Sequence, residues 1–167
     1  MRITRRLEFD AGHRVLGHEG KCKHLHGHRY VAEISCSAKE LDPLSRVIDF
    51  GVVKEFVGQW IEDNWDHNIL LNALDPLVDF QSNHAVWQGK LPFILPPGLN
   101  PTAEVMARIL LEEATALLKG QGIMVTHVRL YETPNCWADY YFTDSSQLSP
   151  NYYLADKEDD SEPSTEE

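Results

Sequence analysis

Three histidines and one cysteine near the start of this chain are the residues best suited to chemistry. His26 and His28 stand two apart at the beginning of an alternating stretch, so in a strand both imidazoles point to one face. That face is the apolar one, carrying Tyr30, Ala32, Ile34, Cys36 and Ala38. His13 lies on the apolar parity of an earlier alternating stretch with Ile3, Leu7, Phe9 and Ala11, with Gly12 as a point where the phase can break. Three imidazoles converging on a partly buried point suit zinc, with a fourth position left for water or substrate. Three neutral ligands also leave the full charge of the ion to polarise a hydroxyl or carbonyl. Cys22, four residues before His26, leaves two arrangements open. It is either the fourth ligand of a closed structural site or a free thiolate beside an open catalytic one, and spacing alone does not separate them.

The elements that must position these residues are legible from periodicity. Residues 2–9, continuing in phase towards Ala11 and His13, and residues 28–38 read as two half-buried strands joined by a loop punctuated by Gly12, Gly17, Gly20 and Gly27, a wide hairpin. Asp49 is an N-cap for a helix whose apolar face runs through Phe50, Val53, Phe56, Val57, Trp60 and Ile61. Asn100-Pro101 opens a second helix, with Asn100 as cap and Pro101 as first helical residue, ending at Gly120 and Gly122. Residues 123–131 and 137–142 alternate again as two closing strands. The expected fold is α+β, a four-stranded antiparallel sheet with two helices on one face, over a single domain at residues 1–150. Such a sheet leaves two open edges, which a small protein can close by pairing with copies of itself. Residues 75–99 hold Pro76, Pro92, Pro96 and Pro97 beside Trp87, Phe93 and Ile94, and read as an ordered insertion, a short hairpin or a lid.

Composition narrows the function classes. The net charge over 167 residues is −11. The stretch Asp156–Glu167 alone contributes −6, and residues 151–167 read as an acidic, disordered tail. The remaining −5 body lacks the electrostatic footprint of a nucleic-acid or anionic-membrane binder. A local basic set, Arg2, Arg5, Arg6, Arg14, Lys21, Lys23 and Arg29, suits a small anionic substrate instead. No apolar run approaches a membrane span, and the N-terminus shows no signal core. Three cysteines cannot all pair, which fits a reducing cytoplasm.

The motif Cys22-x-x-x-His26-Gly27-His28, preceded by Phe9-x-Ala11-x-His13, resembles the 6-pyruvoyltetrahydropterin synthase and 6-carboxytetrahydropterin synthase family. The resemblance continues in order through Ile48-Asp49-Phe50, Trp65-Asp66-His67-Asn68-x-Leu70-x-Asn72, Asn100-Pro101-Thr102-x-Glu104 and Tyr131-Glu132-Thr133. It implies the tunnelling fold, in which subunits join sheet edges into a barrel and rings stack, commonly as a homohexamer made of two trimers. It implies His13, His26 and His28 as zinc ligands, Cys22 as the catalytic thiol, Asp66 and His67 as a second acid–base unit, and Glu132 as the anchor of the pterin pyrimidine edge. Thr102 and Glu104 become further pocket residues, although helix capping explains them nearly as well.

The implied substrate is 7,8-dihydroneopterin triphosphate. The implied activity is zinc-dependent lyase chemistry giving 6-carboxy-5,6,7,8-tetrahydropterin in the queuosine (deazapurine) route, with acetaldehyde and triphosphate released. Elimination to the 6-pyruvoyl product of tetrahydrobiopterin synthesis uses the same residue set. A non-catalytic zinc-stabilised module, closed by Cys22, is the reading from another class.

Overall fold

The computed structural model describes residues 1–82 and 90–143. The acidic tail at 151–167 and the middle of the 75–99 segment lie outside the described residues. Two long strands, β1 (Arg2–His13) and β2 (His26–Ser37), pair antiparallel over their whole length. A single 3-10 turn at Lys21–Lys23 sits in the loop between them. A continuous helix, α1, follows as Phe50–Val53, a wider π-helical turn at Lys54–Gly58, and Gln59–Asn64. Its start is fixed by the Asp49 carboxylate, which accepts the Gly51 amide at 2.7 Å. Strand β3 (Asn68–Asn72), a 3-10 segment at Pro76–Ser82, and strand β4 (Phe93–Leu95) come next. Helix α2 (Ala103–Leu117) and strands β5 (Met124–Thr133) and β6 (Cys136–Tyr141) complete the described chain.

The sheet corrects one expectation. It has six mixed strands in the order β4-β3-β1-β2-β5-β6, not four antiparallel ones. The four strands read from alternation are present and antiparallel, but β3 and β4 extend the sheet with parallel pairing beside β1. The physical reason lies in β3 itself, whose residues Asn68, Leu70, Leu71 and Asn72 are all buried. A short strand buried on both faces shows no alternation, so period-2 reading passes over it. The described part of the 75–99 segment supplies the 3-10 segment and β4, whose Phe93–Leu95 align in parallel with Leu70–Asn72, while the middle that a hairpin or lid would need lies outside the described residues.

A second correction concerns α2. Its N-cap is Thr102, whose hydroxyl accepts the Val105 amide at 3.4 Å. Asn100 instead clasps Leu16, its side chain accepting the Leu16 amide at 2.9 Å and donating to the Leu16 carbonyl at 3.0 Å. Pro101 therefore precedes the helix rather than opening it.

Both helices cover one face of the sheet. Leu7, Phe9 and Ala11 from β1 and Tyr30, Ala32, Ile34 and Cys36 from β2 are buried beneath Val53, Val57 and Ile61 of α1 and Met106, Leu110 and Ala114 of α2. The opposite face is polar and laced with ion pairs, such as Arg29 with Asp10 at 2.8 Å and Arg129 with Asp139 at 2.7 Å. No helix among the described residues is long and apolar enough to cross a membrane.

Trp65, at the end of α1, is fully buried and touches Phe9, Trp60 and Phe93 with ring centroids 5.0–6.0 Å apart. It ties the helix layer to the two parallel strands as well as to β1. Trp65→Ala is expected to cost about 3–5 kcal/mol, as deleting a large buried ring usually does. Urea denaturation should show the midpoint falling with little change in slope.

Candidate active site

The register of β1 on β2 builds the histidine cluster. On β1 the core-facing residues are odd-numbered and on β2 even-numbered, and the pairing sets His13 directly opposite His26, with Ala11 opposite His28. All three imidazoles therefore point toward the helix layer at one end of the sheet. Their ring centroids lie 4.5, 4.9 and 5.2 Å apart. One nitrogen from each falls within 4.8 Å of the others. Gly12 does not break the phase of β1, because His13 stays on the buried face at 1% exposure.

The cluster is arranged as a metal site would be. His13 Nδ1 lies 2.7 Å from the Pro101 carbonyl, and His26 Nδ1 lies 2.8 Å from the His24 carbonyl. A carbonyl only accepts, so each ring carries a proton on Nδ1, which leaves Nε2 as the nitrogen free to ligate. The Nε2 atoms of His13 and His28 are buried without a hydrogen-bond partner, the condition of a ligand atom awaiting an ion. Burial holds the His13 and His28 imidazoles below the usual histidine value, outweighing the pull of Glu132 toward the charged form. Both are neutral at pH 7, the form that binds zinc. The residues present fit a zinc ion held by three histidines.

Glu132 reaches the same place from β5. Its carboxylate lies 3.4 Å from His28 Nε2. It occupies an irregularity where Tyr131 pairs with Trp137 but Thr133 pairs with Cys136, leaving Glu132 as the extra residue. Such bulges re-aim side chains beside sites. An open cleft of about 610 Å³ is lined by His28, Glu132, Arg29 and Tyr131 among others, within the size range of small-molecule sites.

Cys22 is half-buried on the 3-10 turn, between the exposed Lys21 and Lys23. Its backbone carbonyl accepts the Val15 amide at 2.8 Å, which fixes the loop against the end of β1. The cysteine is not in the group of mutually close ligand atoms. Burial, then the charges of Glu132 and Cys22, push the Tyr30 phenol up. The Tyr30 ring in turn packs edge-on against His13 and His28.

Asp66 and His67 sit at the turn between α1 and β3 and bond directly, His67 Nδ1 lying 2.6 Å from Asp66 Oδ2. Adjacent side chains normally point apart; here His67 adopts φ 51°, in the left-handed region, and folds its ring back onto its neighbour. The other Asp66 oxygen accepts the Asp10 amide at 2.8 Å. Burial opposes ionisation of Asp66, but the Asp10 amide and His67 outweigh it and hold the carboxyl below its usual value. The hydrogen bond to Asp66, followed by its charge, pushes His67 up. The His67 side chain is 78% exposed.

Of the remaining sequence-based residues, Thr102 serves as helix cap and Glu104 is exposed in the first turn of α2. Of the basic residues, Arg14 is engaged by the buried Asp75 at 2.7 Å and Arg29 by Asp10, whereas Lys21 and Lys23 stand exposed on the turn that carries Cys22. Cys36 is buried and its thiol is pushed up to about 11, consistent with packing rather than reactivity. Three supporting groups escape sequence reading: the carbonyls of His24 and Pro101 and the amide of Asp10. Backbone atoms have no residue-type signature, so only the placement of Pro101 within a motif block pointed toward it.

Comparison with known proteins fits this geometry. The family model for 6-pyruvoyl tetrahydropterin synthase matches residues 2–142. The chain is 44% identical over 140 residues to a 6-carboxy-5,6,7,8-tetrahydropterin synthase of Rickettsia felis, covering 83% of this chain and 99% of that protein. It is 31% identical over 145 residues to the Haemophilus influenzae protein of the same name, covering 83% and 97%. Among solved structures, an uncharacterized protein from Wolinella succinogenes superposes with a TM-score of 0.70 at 24% identity, covering 84% of this chain and 97% of that one. The 6-pyruvoyl tetrahydropterin synthase of Caenorhabditis elegans gives 0.61 at 22% identity, covering 86% and 96%. The chain thus belongs to the 6-pyruvoyl tetrahydropterin synthase family. Within it, the chain is a lyase of the 6-carboxytetrahydropterin synthase-like kind.

Gly27, between two of the histidines, leaves only a tight space for a side chain. A Cβ there would stand 3.1 Å from the Ala11 carbonyl oxygen, on the strand that carries His13. Gly27→Ala is expected to push β1 and β2 apart where the imidazoles converge and to weaken metal binding about 10–100-fold, the usual cost of disturbing a ligand's support. Competition with a chromophoric chelator would read the affinity, with circular dichroism checking that the sheet persists.

Proposed function

We propose that this chain converts 7,8-dihydroneopterin triphosphate and water to 6-carboxy-5,6,7,8-tetrahydropterin, acetaldehyde and triphosphate, serving queuosine and related deazapurine synthesis. The observation that carries the reading is the trio of converging histidines beside Glu132 at an open cleft. The near-full-length likeness to proteins named for the carboxy product supports it over the pyruvoyl alternative.

His13, His26 and His28 would hold zinc, which when bound supplies a positive charge that polarises the substrate's side-chain oxygens. Cys22, as thiolate, takes a proton from the adjacent side-chain carbon. Asp66 accepts the Nδ1 proton of His67, leaving Nε2 to receive or return a second proton. Glu132 accepts the N–H and exocyclic amine of the pterin pyrimidine edge in a bidentate pair and so sets the reacting carbons over the histidines. Lys21 and Lys23 meet the triphosphate.

Assembly as a homohexamer, two trimeric rings, belongs to the same proposal. Along β1 the pairing with β3 covers only Ala11–His13 and the backbone of Asp10 bonds to Asp66 and His67, so residues 2–9 present an open edge. Strand β6 ends the sheet on the other side. Edge-to-edge addition of copies would join these two, and the exposure of His67 suits a contribution to a neighbouring copy's site. A location in the cytoplasm follows the reading of the cysteines. The absence of Cys22 from the close ligand group weighs against the zinc-stabilised, non-catalytic module.

The test is product mass. Zinc-loaded protein incubated with 7,8-dihydroneopterin triphosphate is expected to give the carboxy compound and one equivalent of acetaldehyde. The pyruvoyl mass without acetaldehyde would overturn the assignment. Cys22→Ala is expected to keep its zinc and lose turnover by about 10²-fold or more, the scale of a missing general base. Stoichiometric zinc loss in that variant would make Cys22 a ligand instead.

A further inference from the structure

The contact between Asp66 and His67 depends on one peptide unit, the one that joins them. With φ 51° at His67, a modest rotation of that peptide would carry the imidazole off the carboxylate. The unit is held from both sides. Its N–H donates to the Asp10 carbonyl at 2.7 Å, and its oxygen, that of Asp66, accepts from Lys90 Nζ at 2.8 Å. The same ammonium donates to the Glu62 carbonyl in the last turn of α1.

A lysine at a helix C-terminus is commonly just a cap for orphan carbonyls. That accounts for the bond to Glu62. It does not account for the bond to Asp66, whose carbonyl belongs to the turn beyond the helix and faces no helical partner. An ammonium offers three donors and serves both carbonyls at once. Lys90 comes from the 75–99 segment, just before β4, and reaches back to the turn that opens β3.

We propose that Lys90 is a positioning residue for the Asp66–His67 pair, fixing by its bond to the Asp66 carbonyl the backbone turn that lets the carboxylate grip the imidazole. The proposal rests on the reading of that pair as an acid–base unit. It also gives the 75–99 segment a task in the site, the delivery of a cation behind the pair. The charged groups bearing on His67 are Asp66, Asp10 from β1 and Glu62 from α1, while the Lys90 charge bears on Asp66.

The experiment compares zinc-loaded Lys90→Met and Lys90→Arg with the parent enzyme. It follows the His67 imidazole titration by NMR alongside kcat and KM. In Lys90→Met the loosened bond to Asp66 should let His67 titrate lower, toward an ordinary histidine. The kcat should fall about 10–100-fold, with KM within twofold and zinc unchanged. Lys90→Arg, which can still donate to both carbonyls, should restore most of both. If Lys90→Met does not fold, Lys90→Gln retains a neutral donor and is read the same way, with a smaller shift. A His67 titration that moves upward would mean the ammonium acts only as a like charge. An unmoved titration with a lower melting temperature would leave a plain helix cap. Either result overturns the proposal. A lowered titration with undiminished kcat would uphold Lys90 as the positioning group and refute the acid–base role of the pair. His67→Ala with full turnover would refute that role on its own.

Discussion

The register of β1 on β2 is the constraint on which this protein depends. Odd residues of one strand meet even residues of the other over twelve consecutive pairs, so the buried faces coincide from Ile3 with Cys36 to His13 with His26. A slip by one residue would turn His26 and His28 to the polar face and strand Tyr30, Ala32 and Ile34 in water. The apolar core thus enforces the register, and the register in turn assembles the histidines. Stability and chemistry share one alignment, and a substitution that disturbs the first disturbs the second.

Around that alignment the rest of the chain supplies support at a distance. Helix α2 enters through Asn100 and Pro101, which clasp Leu16 and fix the His13 ring. Strand β5 contributes Glu132 through a bulge, and β3 with the end of α1 provides the turn for Asp66 and His67. Each contribution comes from the end of an element, where backbone groups are free to hold something other than their own ladder.

Much of this was legible in the residues. Alternation gave β1, β2, β5 and β6, and three-and-four spacing with Asp49 gave α1, because each element buries one face only. The parallel pair β3 and β4 was missed for the opposite reason, since Leu70, Leu71 and Leu95 are buried without alternation and β4 is three residues long. Asn100 looked like a cap by type and position, yet Thr102 took that place while Asn100 bonded to Leu16, 84 residues away in sequence. The direct Asp66–His67 bond was not fixed by the residues alone, as it depends on a left-handed His67 that residue type does not specify. The histidine trio stood out because the apolar face of a strand is an unusual place for imidazole.

The bond between His13 and Pro101 spans 88 positions of the chain. A polypeptide emerging from synthesis in order presents all three imidazoles long before the carbonyl that orients the first of them exists. The hairpin alone leaves the His13 Nδ1 without the carbonyl that fixes its tautomer and rotamer in the finished domain. Docking of the segment before α2, a long-range closure that comes late because of its entropy, completes the ligand geometry. The histidine cluster therefore reaches its final arrangement only when the segment before α2 has docked on the hairpin.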